Sequence, residues 1–250
     1  MSDEFDLTPS QKKKTEKGAA GVGIIGLIAL VLSKFKFLLL GLFKLKTLLS
    51  MFVFFGFYWQ QWGWPYALGI VLSIYIHEMG HVAKLKHYGI EASAPLFIPF
   101  VGALIRVKQA FTDHVQDARV GLAGPFWGLG AAAVCYAAYL YFQNGILAAL
   151  AHTGAFINLF NLIPFWQLDG GRGFHSLNRT QRWLAFGAIG LTLYVTQQHL
   201  LLALLGFALF QCLRKEVPEE ADNVGLFQYV FLVFVLAAMC RIPVPGMAQP

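Results

Sequence analysis

The sequence predicts an all-α polytopic membrane protein: a bundle of about six or more transmembrane helices with one membrane-embedded β-hairpin or re-entrant loop. Three observations carry that expectation. Apolar residues fill 57% of the 250 positions and charged residues only 13%, too few to coat a soluble domain of this length. Leu, Ile, Phe, Ala and Gly gather in long runs with Trp and Tyr near their ends, as in helices anchored at two membrane interfaces. Between 93 and 107 an apolar stretch carries Pro95, Pro99 and Gly102, which oppose a helix; such backbone is tolerated at membrane depth only under protein or a water-filled cavity.

The elements follow in order. Residues 1–17 form a polar, basic, cytoplasmic tail with too little apolar surface to pack. Residues 18–60 form an N-terminal membrane segment whose apolar pieces, at 19–33, 37–43 and 47–59, are broken by Lys34, Lys36, Lys44 and Lys46. Spans are expected at 64–83, 120–142 and 146–165, then a hairpin of two short helices over 183–213 interrupted at 196–199, then a last span at 225–240. Lys84, Lys86, Arg106, Lys108, Arg119, Arg172, Arg179, Arg182, Arg214 and Lys215 all fall on one side in this arrangement, which the positive-inside rule makes cytoplasmic. Those cations also absorb the net charge of +6: they meet lipid headgroups, and no nucleic-acid partner is expected. Cys135, Cys212 and Cys240 have neither disulfide-framework nor metal spacing, so a metal here must be held by His and carboxylate.

One stretch stands against its oily surroundings. His77, Glu78 and His81 make H-E-x-x-H in the 64–83 span. On a helix, imidazoles at i and i+4 share a face and can grip one Zn²⁺, while the adjacent glutamate can take a proton from a water at the metal. The pattern also arises by chance, but a carboxylate within a span costs about 2.5–3.5 kcal/mol near its centre, which favours a functional reason for Glu78. A catalytic zinc site has three protein ligands and one open position. Asp169, just beyond the 146–165 span, returns to the cytoplasmic side at a depth matching H-E-x-x-H. It can be the third ligand; alternatively, Asp-Gly-Gly is simply turn chemistry.

"HEMGH" at 77–81, "GPFWG" at 124–128 and "NLIPFWQLDGG" at 161–171 resemble, in order and spacing, the signatures of the site-2 protease family of intramembrane zinc metalloproteases. The resemblance implies a catalytic core over 61–182, followed by C-terminal transmembrane helices over 183–250, in a compact form without PDZ or CBS domain. It implies His77, His81 and Asp169 as ligands of one Zn²⁺ per chain, Glu78 as catalytic base, and a substrate or oxyanion contact for Asn161. The implied activity is hydrolysis of a peptide bond within or near a transmembrane segment of a membrane-protein substrate, as in regulated intramembrane proteolysis. The bilayer and that substrate are the expected partners, and a prokaryotic cytoplasmic membrane is the expected location. Gly124, Pro125 and Gly128 are read as serving helix packing and a break rather than chemistry. His87, His114 and His175 are assigned to cytoplasmic loops, and His152 and His199 to the outer interface, all outside the ligand pattern. An unwound substrate needs partners for its freed backbone, and the 93–107 segment is expected to supply an edge strand.

Overall fold

The structure, a computed structural model, describes residues 48–91, 93, 96–98, 102–104, 111 and 113–245. The expected tail at 1–17 and most of the 18–60 membrane segment lie outside the described residues. Residues 48–62 are helical and form α1. Gly63 then turns the chain with φ 81°, a backbone conformation that glycine adopts without steric cost, and Pro65 opens the next helix in its first turn. The helices that follow are α2 (Trp64–His87), α3 (His114–Phe142), α4 (Gly145–Asn161), α5 (Asp169–His175), α6 (Arg179–Thr196), α7 (Leu200–Cys212) and α8 (Asn223–Met239). Between α2 and α3, β1 (Leu96–Ile98) and β2 (Gly102–Leu104) pair antiparallel, with Leu96 opposite Leu104 and Ile98 opposite Gly102.

Local chemistry sets the helix boundaries. Asp113, Asn144, Asn178 and Asp222 each accept a backbone N–H in the first turn of α3, α4, α6 and α8. Asn178 and Gln181 complete a reciprocal capping box. His87, His114 and His175, expected in loops, are the last residue of α2, the first of α3 and the last of α5.

α3 is the central element, packed against α2, α4, α5 and α8. The main core joins Leu122 of α3, Leu159 of α4, Phe174 of α5, Ile189 of α6, Leu204 of α7 and Tyr229 of α8. A second core sets Phe54 of α1 against Ile70, Val71 and Ile74 of α2 and Leu150 of α4. Among the described residues, α3 is the helix both long and apolar enough to cross a membrane; α4, α7 and α8 are apolar but shorter. At 17, 13 and 17 residues they measure about 25, 20 and 25 Å, against a hydrocarbon core of about 30 Å. α2 has the length, but it carries His77, Glu78 and His81 within it and three basic residues in its last turn.

Candidate metal centre

His77 and His81 lie one turn apart on α2, both buried, with their Nε2 atoms 3.1 Å from each other. Asp169 comes to them from the first position of α5, its Oδ2 3.1 Å from His77 Nε2 and its Oδ1 3.3 Å from His81 Nε2. Two imidazole nitrogens and two carboxylate oxygens converging at this spacing need a proton or a metal cation between them. A tetrahedral ion bound at about 2.0–2.1 Å sets its ligand atoms about 3.3 Å apart, the separation seen here. Each imidazole also directs its other nitrogen away: His81 Nδ1 donates to the Val120 carbonyl at 2.8 Å, and His77 Nδ1 lies 2.7 Å from Asn158 Oδ1. Metal-bound histidines are characteristically tied back in this way. The donor set thus fits Zn²⁺, which in catalytic sites is held by three protein ligands and takes a water or substrate besides. Glu78 is buried beside His77, close enough to His77, His81 and Asp169 for their charges to act on it.

The face of α3 explains how this much polar matter fits in a packed bundle. Gly121, Gly124 and Gly128 recur at i, i+3 and i+7 and share one face. A Cβ on Gly124 would collide with His81 Nε2 and His77 Nε2. One on Gly128 would occupy the Asn158 amide, and one on Gly121 would press on the Arg172 side chain and the Asp169 carbonyl. The expected break does not occur: α3 runs on through Pro125. The expectation that Gly124 and Gly128 serve helix packing holds in a sharper form, since they let α3 sit against α2 and α4. Their missing side chains make room for the metal-site residues themselves.

Asp169 also proves not to be a turn residue. Gly170 and Gly171 lie inside α5, and among the described glycines only Gly63 and Gly89 have positive φ. The two glycines are needed because the preceding loop folds back onto them: a Cβ at Gly170 would overlap Leu162 O, and one at Gly171 would lie 2.6 Å from Trp166 O. This loop is pinned from two later helices. Tyr229 of α8 donates to Leu162 O at 2.6 Å, and Gln211 of α7 donates to Pro164 O at 2.9 Å. Arg172, one turn after Asp169, donates through Nε to Asp117 Oδ1 at 2.8 Å and so ties α5 to the start of α3.

The structure brings together four of the five expected site residues, His77, Glu78, His81 and Asp169. Asn161 is the last residue of α4 and half-buried, leading into the pinned loop. The residue missed from the sequence is Asn158, one turn before it. Its signal was legible: a buried amide in the last turn of a 17-residue apolar helix must find partners.

Residues 65–147 match the model of peptidase family M50. Over 108 residues the chain is 31% identical to the zinc metalloprotease MJ0392 of Methanocaldococcus jannaschii, covering 41% of this chain and 31% of that one. Over 242 residues it is 22% identical to the probable zinc metalloprotease EGY1, chloroplastic, of Arabidopsis thaliana, covering 72% of this chain and 43% of that one. A match at 25% over 154 residues to the probable chloroplastic zinc metalloprotease EGY2 of the same plant covers 44% of this chain and 28% of the relative. The chain therefore spans less than half the length of the curated relatives it matches.

Proposed function

We propose that this chain, whose residues 65–147 match peptidase family M50, is of the site-2 protease type: an intramembrane zinc endopeptidase that hydrolyses a peptide bond within or near a transmembrane segment of another membrane protein. The observation that carries the reading is the convergence of His77, His81 and Asp169 at 3.1–3.3 Å with Glu78 buried alongside. His77, His81 and Asp169 would hold one Zn²⁺ per chain. That ion supplies Lewis acidity, polarising the scissile carbonyl and making water a nucleophile at neutral pH. Glu78 takes the proton of the attacking water and returns it to the departing amine nitrogen. Asn161 would contact the substrate carbonyl or its developing oxyanion from the end of α4.

Three features support placement in the bilayer. His81 and His77 lie 6 and 10 residues before the end of α2, about 9 and 15 Å below it. The ion pair Arg119–Asp222 and the buried Arg182, bonded to Leu177 O, Gln211 O and Phe174 O, gather basic residues at the end of the bundle where α2 also ends in Lys84, Lys86 and His87. Large apolar side chains point outward from several helices, among them Trp62, Val134, Tyr141, Leu191, Phe210 and Phe227, a surface suited to lipid and ill suited to water. A multi-pass protein of a prokaryotic cytoplasmic membrane fits this pattern, with the metal reached by water from the basic side.

β2 lies against α2, the helix that carries H-E-x-x-H. Its role in this reading is to offer backbone hydrogen bonds to an unwound substrate strand, and proline at Gly102, Ala103 or Leu104 should then reduce cleavage without removing zinc. The central test is Glu78→Gln in the purified full chain, reconstituted with a membrane-spanning substrate. Cleavage should fall about 10²–10⁴-fold while zinc stays at one per chain. Undiminished cleavage by the variant would sink the mechanism.

A further inference from the structure

We infer that Asn158 is a positioning residue for His77, holding its ring in the tautomer that turns a lone pair toward Asp169 and His81, and that Gly128 is the notch that admits it. The inference rests on the metal-centre reading above.

The amide's orientation follows from its partners. Asn158 is 1% exposed, with one end 2.7 Å from His77 Nδ1 and the other 2.7 Å from Gly154 O. A backbone carbonyl only accepts, so the end facing Gly154 must be the NH₂ group and the end facing His77 must be the oxygen. An oxygen at 2.7 Å in turn requires the proton of His77 on Nδ1. In the neutral imidazole, Nε2 is then left with its lone pair, 3.1 Å from both His81 Nε2 and Asp169 Oδ2. The amide thereby selects the tautomer and fixes the ring plane in one step.

The surroundings have no simpler use for this side chain. Asn is a weak helix former, and an amide buried in a helix is costly unless both ends are bonded. A purely structural bridge between α2 and α4 already exists at the other end of the pair, where Tyr66 Oη and Thr153 Oγ1 meet at 2.7 Å. Gly128 is matched to Asn158 specifically, since the position a Cβ would take on α3 is filled by all three terminal atoms of the amide. The two histidines are thus held differently. His81 is tied to Val120 O, part of the α3 backbone, whereas His77 depends on one replaceable side chain.

Zinc affinity of the full chain in detergent, measured by chelator competition, tests this, with the visible spectrum of the Co²⁺-substituted protein as a second readout of ligand geometry. Asn158→Leu should weaken zinc about 10–100-fold and alter the cobalt spectrum. Asn158→Asp, which keeps an acceptor beside Nδ1, should restore affinity to within a few-fold. Gly128→Ala keeps the asparagine but takes its space, and should weaken zinc as Asn158→Leu does. Gly130→Ala on the same helix, with nothing within 4 Å of its Cβ, should not. Wild-type affinity and an unchanged cobalt spectrum in Asn158→Leu would overturn the inference. Should that variant fail to fold, a neutral Gly128→Ala overturns it equally. A wild-type chain that takes up no zinc would instead sink the metal-centre reading, and this inference with it.

Discussion

The site is assembled from two regions built on different terms. α2 and α3 supply His77, Glu78, His81 and the glycine face that receives them, all within the segment that matches peptidase family M50. Asp169 comes from outside that segment, on a seven-residue helix reached through a loop held by hydrogen bonds from α7 and α8. In the first region the chemistry is spaced along single helices, at i and i+4 or at i, i+3 and i+7, so forming the helix forms the half-site. In the second, position depends on partners 47 and 67 residues away. The first half-site is local and stiff. The second is only as well placed as the C-terminal helices that grip it.

If that contrast is right, damage to the first region should act directly on the metal. The largest effects are expected from His77→Ala, His81→Ala and Asp169→Ala, each removing one of three ligands: bound zinc should drop well below one per chain and cleavage should fall to background. Metal analysis of the purified variants checks this, and any of the three retaining wild-type zinc would break the ligand assignment. Next comes Gly124→Ala. Its added Cβ would lie on the two imidazoles, and crowding of this kind costs about 1–3 kcal/mol, or about 10–100-fold in zinc affinity. Gly130→Ala should show the opposite sign, slightly stabilising α3 because alanine is the better helix former. Equal behaviour of the two would remove the glycine face from the account of the site.

The same contrast explains how far the sequence could be read. H-E-x-x-H was legible because its chemistry and its helical period coincide, and the helix ends at 142, 196 and 212 were marked by Gln143, by the polar run after Thr196 and by Arg214. Asp169 was legible only as one of two alternatives. What decides between them, the carbonyls of Leu162 and Trp166 pressing on Gly170 and Gly171, is a tertiary contact with no trace in local pattern. The role of Gly124 and Gly128 was hidden for a related reason: a small residue on an apolar helix looks alike whether it faces another helix or an imidazole. Asn158 carried a polar signal, but its partner lies 81 residues away. Arg241, at the far end of α8, departs from the one-sided distribution of positive charge; its guanidinium caps α6 by donating to Thr196 O at 2.6 Å.

The second region can be loosened without touching a ligand. Tyr229→Phe removes a hydroxyl and nothing else, leaving Leu162 O without its buried donor, for a loss of about 1–3 kcal/mol. Tyr229 is fully buried against Phe174 of α5, so the ring packing survives the change. The expected result is lower thermal stability together with weaker zinc binding, because the loop that presents Asp169 gains freedom. Thermal unfolding measured with and without added zinc separates the two. If stability falls while zinc affinity holds, α8 supports the fold but does not position Asp169, and the two regions are independent of each other.

The smallest effect concerns charge at the basic end, remote from the ligands. Asp222 caps α8 and receives both terminal nitrogens of Arg119, from α3. Burial opposes its ionisation, but the bonds from Arg119, Gly225 N–H and Ser176 outweigh it and hold the carboxyl below the usual carboxylate range. A depressed carboxyl stabilises the fold above its unfolded pKa of about 3.9, and that contribution disappears as pH falls through the lower folded value. Asp222→Asn probes the term: asparagine caps a helix about as well, but it lacks the charge and turns one of the two acceptors of Arg119 into a donor. The variant should be less stable than wild type at pH 7 by a margin that stays level down to about pH 4 and narrows below it. Zinc binding should be unchanged throughout the neutral range. A margin that instead widened with acid would mean that Asp222 is not held ionised by Arg119, and that the link from α3 to α8 is made by packing alone.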